Sequence, residues 1–300
     1  MHNKIIILDG GMGQELLARS QREVTTMWSA DVMLHEPELV RELHCEFICA
    51  GADIITLNTY TATPERLANN NALHLMEQLH ESAKQAAVDA ISDYHYASEG
   101  PARNIQIAGC LPPLVASYHP EVSPEFADCV ESYRKLVALQ RSDADLFICE
   151  TMSSTIEAKA ACLAAKEAKV PVWVAFSVSD DEPKNLRGGE SLQDAVAEIL
   201  TFAPDAILLN CSRPESINAV WPELQNLEVP VGVYANGFTS IDSLYPGTTV
   251  ASLAARDDLG PSAYAQICAD WAKQGASIIG GCCEVGPTHI ASLCELLKKK

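Results

Sequence analysis

VPVWVAFSVSDDEPKNLRGGESLQDAVAEILTFAPDAILLNC, residues 170–211, carries one full period of the pattern that decides the fold. VPVWVAFSV (170–178) is nearly continuous in apolar, mostly β-branched and aromatic residues, as a parallel strand covered on both faces must be. SLQDAVAEILTF follows as an amphipathic helical stretch, and DAILLNC (205–211) is a second apolar run. Outward from this unit the same alternation repeats. KIIILD (4–9), ADIITLN (52–58), IQIAG (105–109) and DLFICE (145–150) precede it, and VPVGVYAN (229–236) and ASIIGGCC (276–283) follow. Helical stretches lie between them at 37–52, 64–94, 123–142, 153–168, 214–225, 262–275 and 287–299. The stretch at 37–52 has Pro37 in its first turn and Gly51 at its end, the usual helix asymmetry. Alternating β and α segments imply a parallel sheet with right-handed crossovers. Eight such units in 300 residues predict an α/β protein, a (β/α)8 TIM barrel, with residues 1–300 forming a single domain.

Composition narrows the function. The chain is 48% hydrophobic, which fits a globular protein with a large core. A formal net charge of −19 argues against nucleic acid and anionic membranes as partners. No apolar run reaches the ~18 residues of a membrane span, and the opening residues lack a signal-peptide cleavage pattern. A cytoplasmic location is therefore expected, with most of the eleven cysteines as free thiols. The closing lysine run reads as a solvated helix end.

In a TIM barrel the active site lies at the C-terminal ends of the strands. Those ends read Asp9-Gly10-Gly11, Asn58-Thr59, Gly109-Cys110, Glu150-Thr151, Asn210-Cys211, Asn236-Gly237 and Cys282-Cys283. Acids, amides, glycines and thiols follow the apolar runs, whereas the strand starts, among them Asp145 and Asp205, read as merely solvated.

Cys211 ends the sixth run and Cys282-Cys283 the eighth, so barrel closure brings three sulfurs to one rim. Gly280 and Gly281 are expected to supply the sharp turn that aims both neighbours inward. Three thiolates with one open position make a catalytic zinc site. Such an electron-rich zinc suits a soft fourth ligand, a substrate thiol that it deprotonates, and the natural reaction is alkyl transfer to sulfur. For any one cysteine the plainer reading is a small core residue. Cys45, Cys49, Cys129, Cys162, Cys268 and Cys294 fall in helical stretches and read as fillers, while Cys110 and Cys149 have no evident partner. A cysteine-based redox sensor or metal-binding protein on a barrel scaffold is the alternative from another class. His35 and His119 are candidates for groups behind the site, and His289 for a cap.

Asp9-Gly10-Gly11-Met12-Gly13 lets backbone N–H groups approach a carboxylate, with Asp9 and Glu150 as anions for an ammonium. Its spacing is not that of a dinucleotide fingerprint. A zwitterionic amino acid with a thiol fits this set, and homocysteine more than the shorter cysteine.

DGGMG, LNTY (57–60), ICET (148–151), NC (210–211), YANG (234–237) and GGCC (280–283) together resemble the homocysteine S-methyltransferases, over nearly the whole chain. The resemblance implies a zinc-dependent barrel with Cys211, Cys282 and Cys283 on the metal. It implies that Asp9, Glu150 and the Gly10-Gly11 backbone hold L-homocysteine, with Asn210 beside them, and that the product is methionine. The chain departs from the usual pattern at Gln14, Leu208 and Ala235. The expected donor is an onium compound, S-methylmethionine first, S-adenosylmethionine next and betaine third. A thioether leaves such a sulfonium without a general acid, so no acid or base is assigned. Methyltetrahydrofolate would need protonation of its leaving amine, and the chain is too short for separate folate and cobalamin domains. The loops at 179–190 and 238–261 are expected at the donor site, with Trp28 and Tyr60 as aromatic faces for a cation.

Overall fold

Eight parallel strands make one sheet: β1 (Ile6–Ile7), β2 (Ile54–Thr56), β3 (Gln106–Leu111), β4 (Leu146–Met152), β5 (Val172–Phe176), β6 (Ala206–Asn210), β7 (Val231–Tyr234) and β8 (Ile278–Ile279). Each overlaps one of the eight apolar runs, and β3 and β4 extend two residues past theirs, to Leu111 and Met152. The order is β1-β8-β7-β6-β5-β4-β3-β2. The edges meet through a parallel bridge between Leu8 and Ile54, with Asp53 N–H on Ile7 O at 2.7 Å and Asp9 N–H on Ile54 O at 3.1 Å. The sheet thus closes into the predicted (β/α)8 barrel. This computed structural model describes residues 5–98, 100, 103–248, 250 and 253–298. Lys4 of the first predicted run, Lys299 and Lys300 of the lysine end, and residues 249, 251 and 252 of the 238–261 loop lie outside the described residues.

The helices are α1 (Met12–Arg19), α2 (Ser29–His35), α3 (Pro37–Ala50), α4 (Pro64–Asn69), α5 (Met76–Ala97), α6 (Phe126–Gln140), α7 (Thr155–Lys166), α8 (Leu192–Leu200), α9 (Pro214–Leu224), α10 (Pro261–Lys273) and α11 (Pro287–Lys298). Two layers of core result. Leu8, Ile54, Ala108, Ile148, Leu208 and Ile278 fill the barrel interior, and a larger cluster including Phe47, Phe147, Phe176, Trp221 and Trp271 joins strands to helices. Among the described residues no helix is long and apolar enough to cross a membrane.

Three features differ from the sequence expectation. First, α1 and α2 occupy a stretch in which no helix is expected. Second, the stretch at 64–94 is not one helix: it breaks at Asn70–Asn71, where Asn71 takes a left-handed φ of 54°. Asparagine tolerates that conformation because its short amide bonds locally, and Asn70 Nδ2 donates to Arg66 O at 2.8 Å. Third, the strand starts are not merely solvated. Asp53 Oδ2 accepts Ile7 N–H at 2.9 Å, Asp145 Oδ2 accepts Ile107 N–H at 2.8 Å, and Asp205 Oδ2 accepts Val172 N–H at 2.8 Å. Each aspartate completes the hydrogen bonding of the neighbouring strand at the barrel floor, where the ladder has run out.

Candidate active site

The end of β6 and the turn after β8 bring the predicted thiols together. Cys211 Sγ lies 2.7 Å from Cys282 Sγ and 4.0 Å from Cys283 Sγ, and all three sulfurs fall within 4.8 Å of one another. Cys211 sits at a left-handed φ of 50°, a costly conformation for a side-chain-bearing residue that recurs where function demands it. Hydrogen bonds from Cys282 and Cys283 hold the Cys211 thiol well below its ordinary range. The same contact with Cys211 pushes Cys282 and Cys283 up. Of the three thiols, Cys211 is thus the one whose surroundings favour the thiolate. The Tyr118 hydroxyl is 3.0 Å from Cys211 Sγ, and the Arg187 guanidinium lies 4.7 Å from the Tyr118 ring while donating to Cys211 O at 3.1 Å.

Glycines shape this turn, but not through φ as expected. Neither Gly280 nor Gly281 is left-handed; the left-handed residue of the turn is Glu284, at 64°. The glycines are required by close approach. A Cβ on Gly281 would stand 2.1 Å from Val285 Cγ1, and one on Gly11 would stand 2.5 Å from Cys282 O. Gly11 N–H donates to Val285 O at 2.9 Å, so it is engaged within the protein rather than presented to a ligand.

Asp9 and Glu150 stand at the ends of β1 and β4. Asp9 Oδ2 accepts Thr56 N–H at 2.7 Å, and Oδ1 accepts the Thr56 hydroxyl at 3.2 Å. Burial nevertheless raises its carboxyl to about 7, with the nearby Glu150 charge adding to the rise. Burial likewise raises Glu150 to about 7. Cys110, in β3, is buried and donates its thiol to Glu150 Oε1 at 2.9 Å, which corrects the expectation that it has no partner. Two desolvated acids in the lining of one cavity are poised to ionise when a cation binds beside them.

Asp9, Gly10, Gly11, Glu150, Cys211, Cys282 and Cys283 line one cavity of about 210 Å³ at the barrel mouth. Asn210 does not line it. Asn210 is fully buried, its Oδ1 accepts Thr151 N–H at 2.9 Å and its Nδ2 donates to Thr151 Oγ1 at 2.9 Å. Both ends of its amide are thus engaged in fixing Thr151, a left-handed residue at φ 59° next to Glu150. The structure places it behind the wall, as a brace rather than a contact.

Trp28 and Tyr60 do line the cavity, with ring centroids 5.9 Å apart at 84°. Of the two expected loops only the second contributes, through Phe238 and residues 244–248 and 250; residues 179–190 contribute nothing. Arg187 from that first loop instead pairs with Asp180 at 3.0 Å beneath the thiols. His119 is not in the cavity wall but lies 2.7 Å from Leu244 O, bracing the second loop. His35 lies 3.8 Å from Asp31 on the outer end of α2, and His289 Nδ1 accepts Gly286 N–H at 3.2 Å, a cap. Cys49 is exposed and so is not a filler, whereas Cys129, Cys162 and Cys268 are buried as expected. Sequence reasoning missed Ser29, Arg66 and Tyr118, all in the wall. None ends a strand, and all come from loops or the first turn of a helix.

Fold and site together define a barrel enzyme with a three-thiol centre and an acid pair at one mouth. The sequence profile described as homocysteine S-methyltransferase matches residues 6–297. A homocysteine S-methyltransferase of Escherichia coli (strain K12) is 32% identical, over 96% of this chain and 94% of its own. Homocysteine S-methyltransferase 1 of Zea mays is 27% identical, over 97% of this chain and 94% of its own. The crystal structure of the homocysteine methyltransferase MmuM from Escherichia coli, in its metallated form, superposes with a TM-score of 0.80 at 26% identity, covering 97% of this chain and 95% of that one. This chain belongs to the homocysteine S-methyltransferase family and is a methyltransferase enzyme.

Proposed function

We propose that the enzyme moves a methyl group from an onium donor, S-methylmethionine foremost and S-adenosylmethionine second, to the sulfur of L-homocysteine, giving methionine. Residues 1–300 act in this as one barrel domain. The observation that carries the reading is the convergence of the three thiols with Asp9 and Glu150 on a single cavity.

The donor set fits a thiophilic divalent metal: three sulfurs within 4.8 Å, one of them in surroundings that favour its thiolate, and no hard carboxylate among them. Cys211, Cys282 and Cys283 would hold a zinc ion, which when bound would supply the positive charge that favours deprotonation of a substrate thiol at neutral pH. Asp9 and Glu150 take the ammonium of homocysteine. The incoming cation offsets the desolvation that raises both acids, so they ionise as it binds. Asn210 and Cys110 hold Glu150 and its neighbour Thr151 in place. The homocysteine thiolate attacks the donor methyl carbon, the old carbon–sulfur bond breaks toward its own sulfur, and a neutral thioether leaves. The thiol proton passes to solvent. Trp28 and Tyr60 present aromatic surface to the donor cation, an attraction worth about 0.5–2 kcal/mol.

The test is to supply L-homocysteine with methyl-labelled S-methylmethionine, S-adenosylmethionine or betaine in separate reactions and weigh the methionine formed. Label from a sulfonium, at a rate well above that from betaine, is the expected result. Label from betaine alone would move the donor to a quaternary ammonium, and label from none would reject methyl transfer from an onium compound.

A further inference from the structure

Arg66 is a cation without an anion. It lies in the first turn of α4, half-buried, and lines the active-site cavity. Nε and Nη2 donate to Pro113 O at 3.3 and 3.2 Å, and Nη2 also reaches Ser117 Oγ at 3.4 Å. These are neutral acceptors at long range. Nη1 makes no hydrogen bond among the described residues, and no described carboxylate oxygen lies within 4.0 Å of the guanidinium. The contrast with Arg187 is direct, since that buried arginine is paired with Asp180 at 3.0 Å. The charge of Glu157 acts on Arg66 from a distance, but its Oε1 accepts Leu114 N–H rather than a guanidinium N–H. The surroundings of Arg66 nevertheless disfavour its charge, and an arginine so desolvated is ordinarily paired with an acid. This chain has 40 acidic residues against 21 lysines and arginines, so want of acids does not explain the missing one.

We propose that Arg66 receives the carboxylate of the methyl donor. The proposal rests on the reading of the reaction given above. The guanidinium lies 5.4 Å from the centroid of the Tyr60 ring, and Tyr60 abuts Trp28 edge to face. The anion site therefore adjoins the aromatic corner that suits an onium centre. A donor with its cation at that corner and its carboxylate a short aliphatic chain away spans the two. S-methylmethionine, S-adenosylmethionine and betaine all carry both charges. A simple sulfonium lacks the carboxylate, and the guanidinium would remain unpaired on binding it. The planar fork of arginine matches two carboxylate oxygens, which a lysine ammonium does not. Homocysteine is the other source of a carboxylate, and the arms of the test separate the two.

The experiment measures kcat/KM for S-methylmethionine and for its α-carboxamide, and KM for homocysteine, in the wild type, Arg66→Gln and Arg66→Lys. The wild type is expected to favour the carboxylate donor over the amide by tenfold or more. Arg66→Gln should lose about that factor with S-methylmethionine while changing little with the amide, and Arg66→Lys should fall between. The homocysteine KM should not move. Equal losses on both donors would mean a structural role and overturn the proposal. A rise in homocysteine KM with an unchanged donor ratio would assign the carboxylate to homocysteine and overturn it as well. Wild-type methionine formation with no preference between the donors would reject the role of Arg66 while leaving the reaction standing. No methionine from either donor would remove the reaction and this role together.

Discussion

Burial disfavours the charges of Asp9 and Glu150 and pushes their carboxyls up to about 7, from ordinary values of 3.8 and 4.5. The linkage follows. A raised folded-state pKa contributes stability that is fully present below the ordinary carboxyl range and is lost as pH climbs through about 7. An ammonium between the acids reverses the loss by stabilising the charged form. Homocysteine should therefore raise the midpoint of thermal unfolding more at pH 8 than at pH 6, and Glu150→Gln should blunt the difference. A ligand-induced rise independent of pH in the wild type would contradict the assignment of these acids to the ammonium. Asp9, Glu150 and the three cysteines were legible because each ends an apolar run, where a barrel puts its chemistry. Asn210 ends a run too, yet its amide bonds to Thr151. Strand-end position names the rim of the barrel but not the direction of a side chain that a neighbouring backbone can capture. Arg66 and Tyr118 carried no such signal, because they reach the cavity from segments between strand and helix.

The strands read clearly from the sequence because burial on both faces demands continuous apolar residues. Six of the strands are shorter than their runs, whereas β3 and β4 run two residues past theirs, to Leu111 and Met152. The short helices α1 and α2 were not legible. Gly11 at the start of α1 and Trp28 at the start of α2 offer no capping side chain, and Trp28 holds a positive φ of 49°. Packing against the barrel, rather than local propensity, sets these boundaries. The turn after β8 is likewise a product of packing. Gly281→Ala should force Val285 aside, since the added Cβ meets its side chain at 2.1 Å. Overpacking of this kind costs about 1–3 kcal/mol and would appear as a lower denaturation midpoint. Because the same turn carries Cys282 and Cys283, metal affinity should fall with it. Unchanged stability in that variant would show that the turn has room it does not display here.

At the scale of the whole molecule, barrel closure does what no local motif can. Cys211 and Cys282 are 71 positions apart in sequence, yet their sulfurs meet because β6 and β8 flank β7 on one rim. The net charge of −19 and the acid pair at the mouth leave the cavity attractive to cationic small molecules, in keeping with an onium donor and an ammonium-bearing acceptor. Fold class, strand order and the meeting of the thiols followed from the alternation of segments alone, whereas the polar wall depended on loops whose course the alternation does not specify. The central claim is that the three converging thiols hold the metal on which methyl transfer depends. It is tested most directly by measuring zinc content and methionine formation together in the wild type and in Cys282→Ala after exhaustive dialysis. The account predicts about one zinc per wild-type chain, and a variant that loses both zinc and methionine formation while keeping its fold by circular dichroism. A Cys282→Ala protein that sheds its zinc yet forms methionine at the wild-type rate would contradict it.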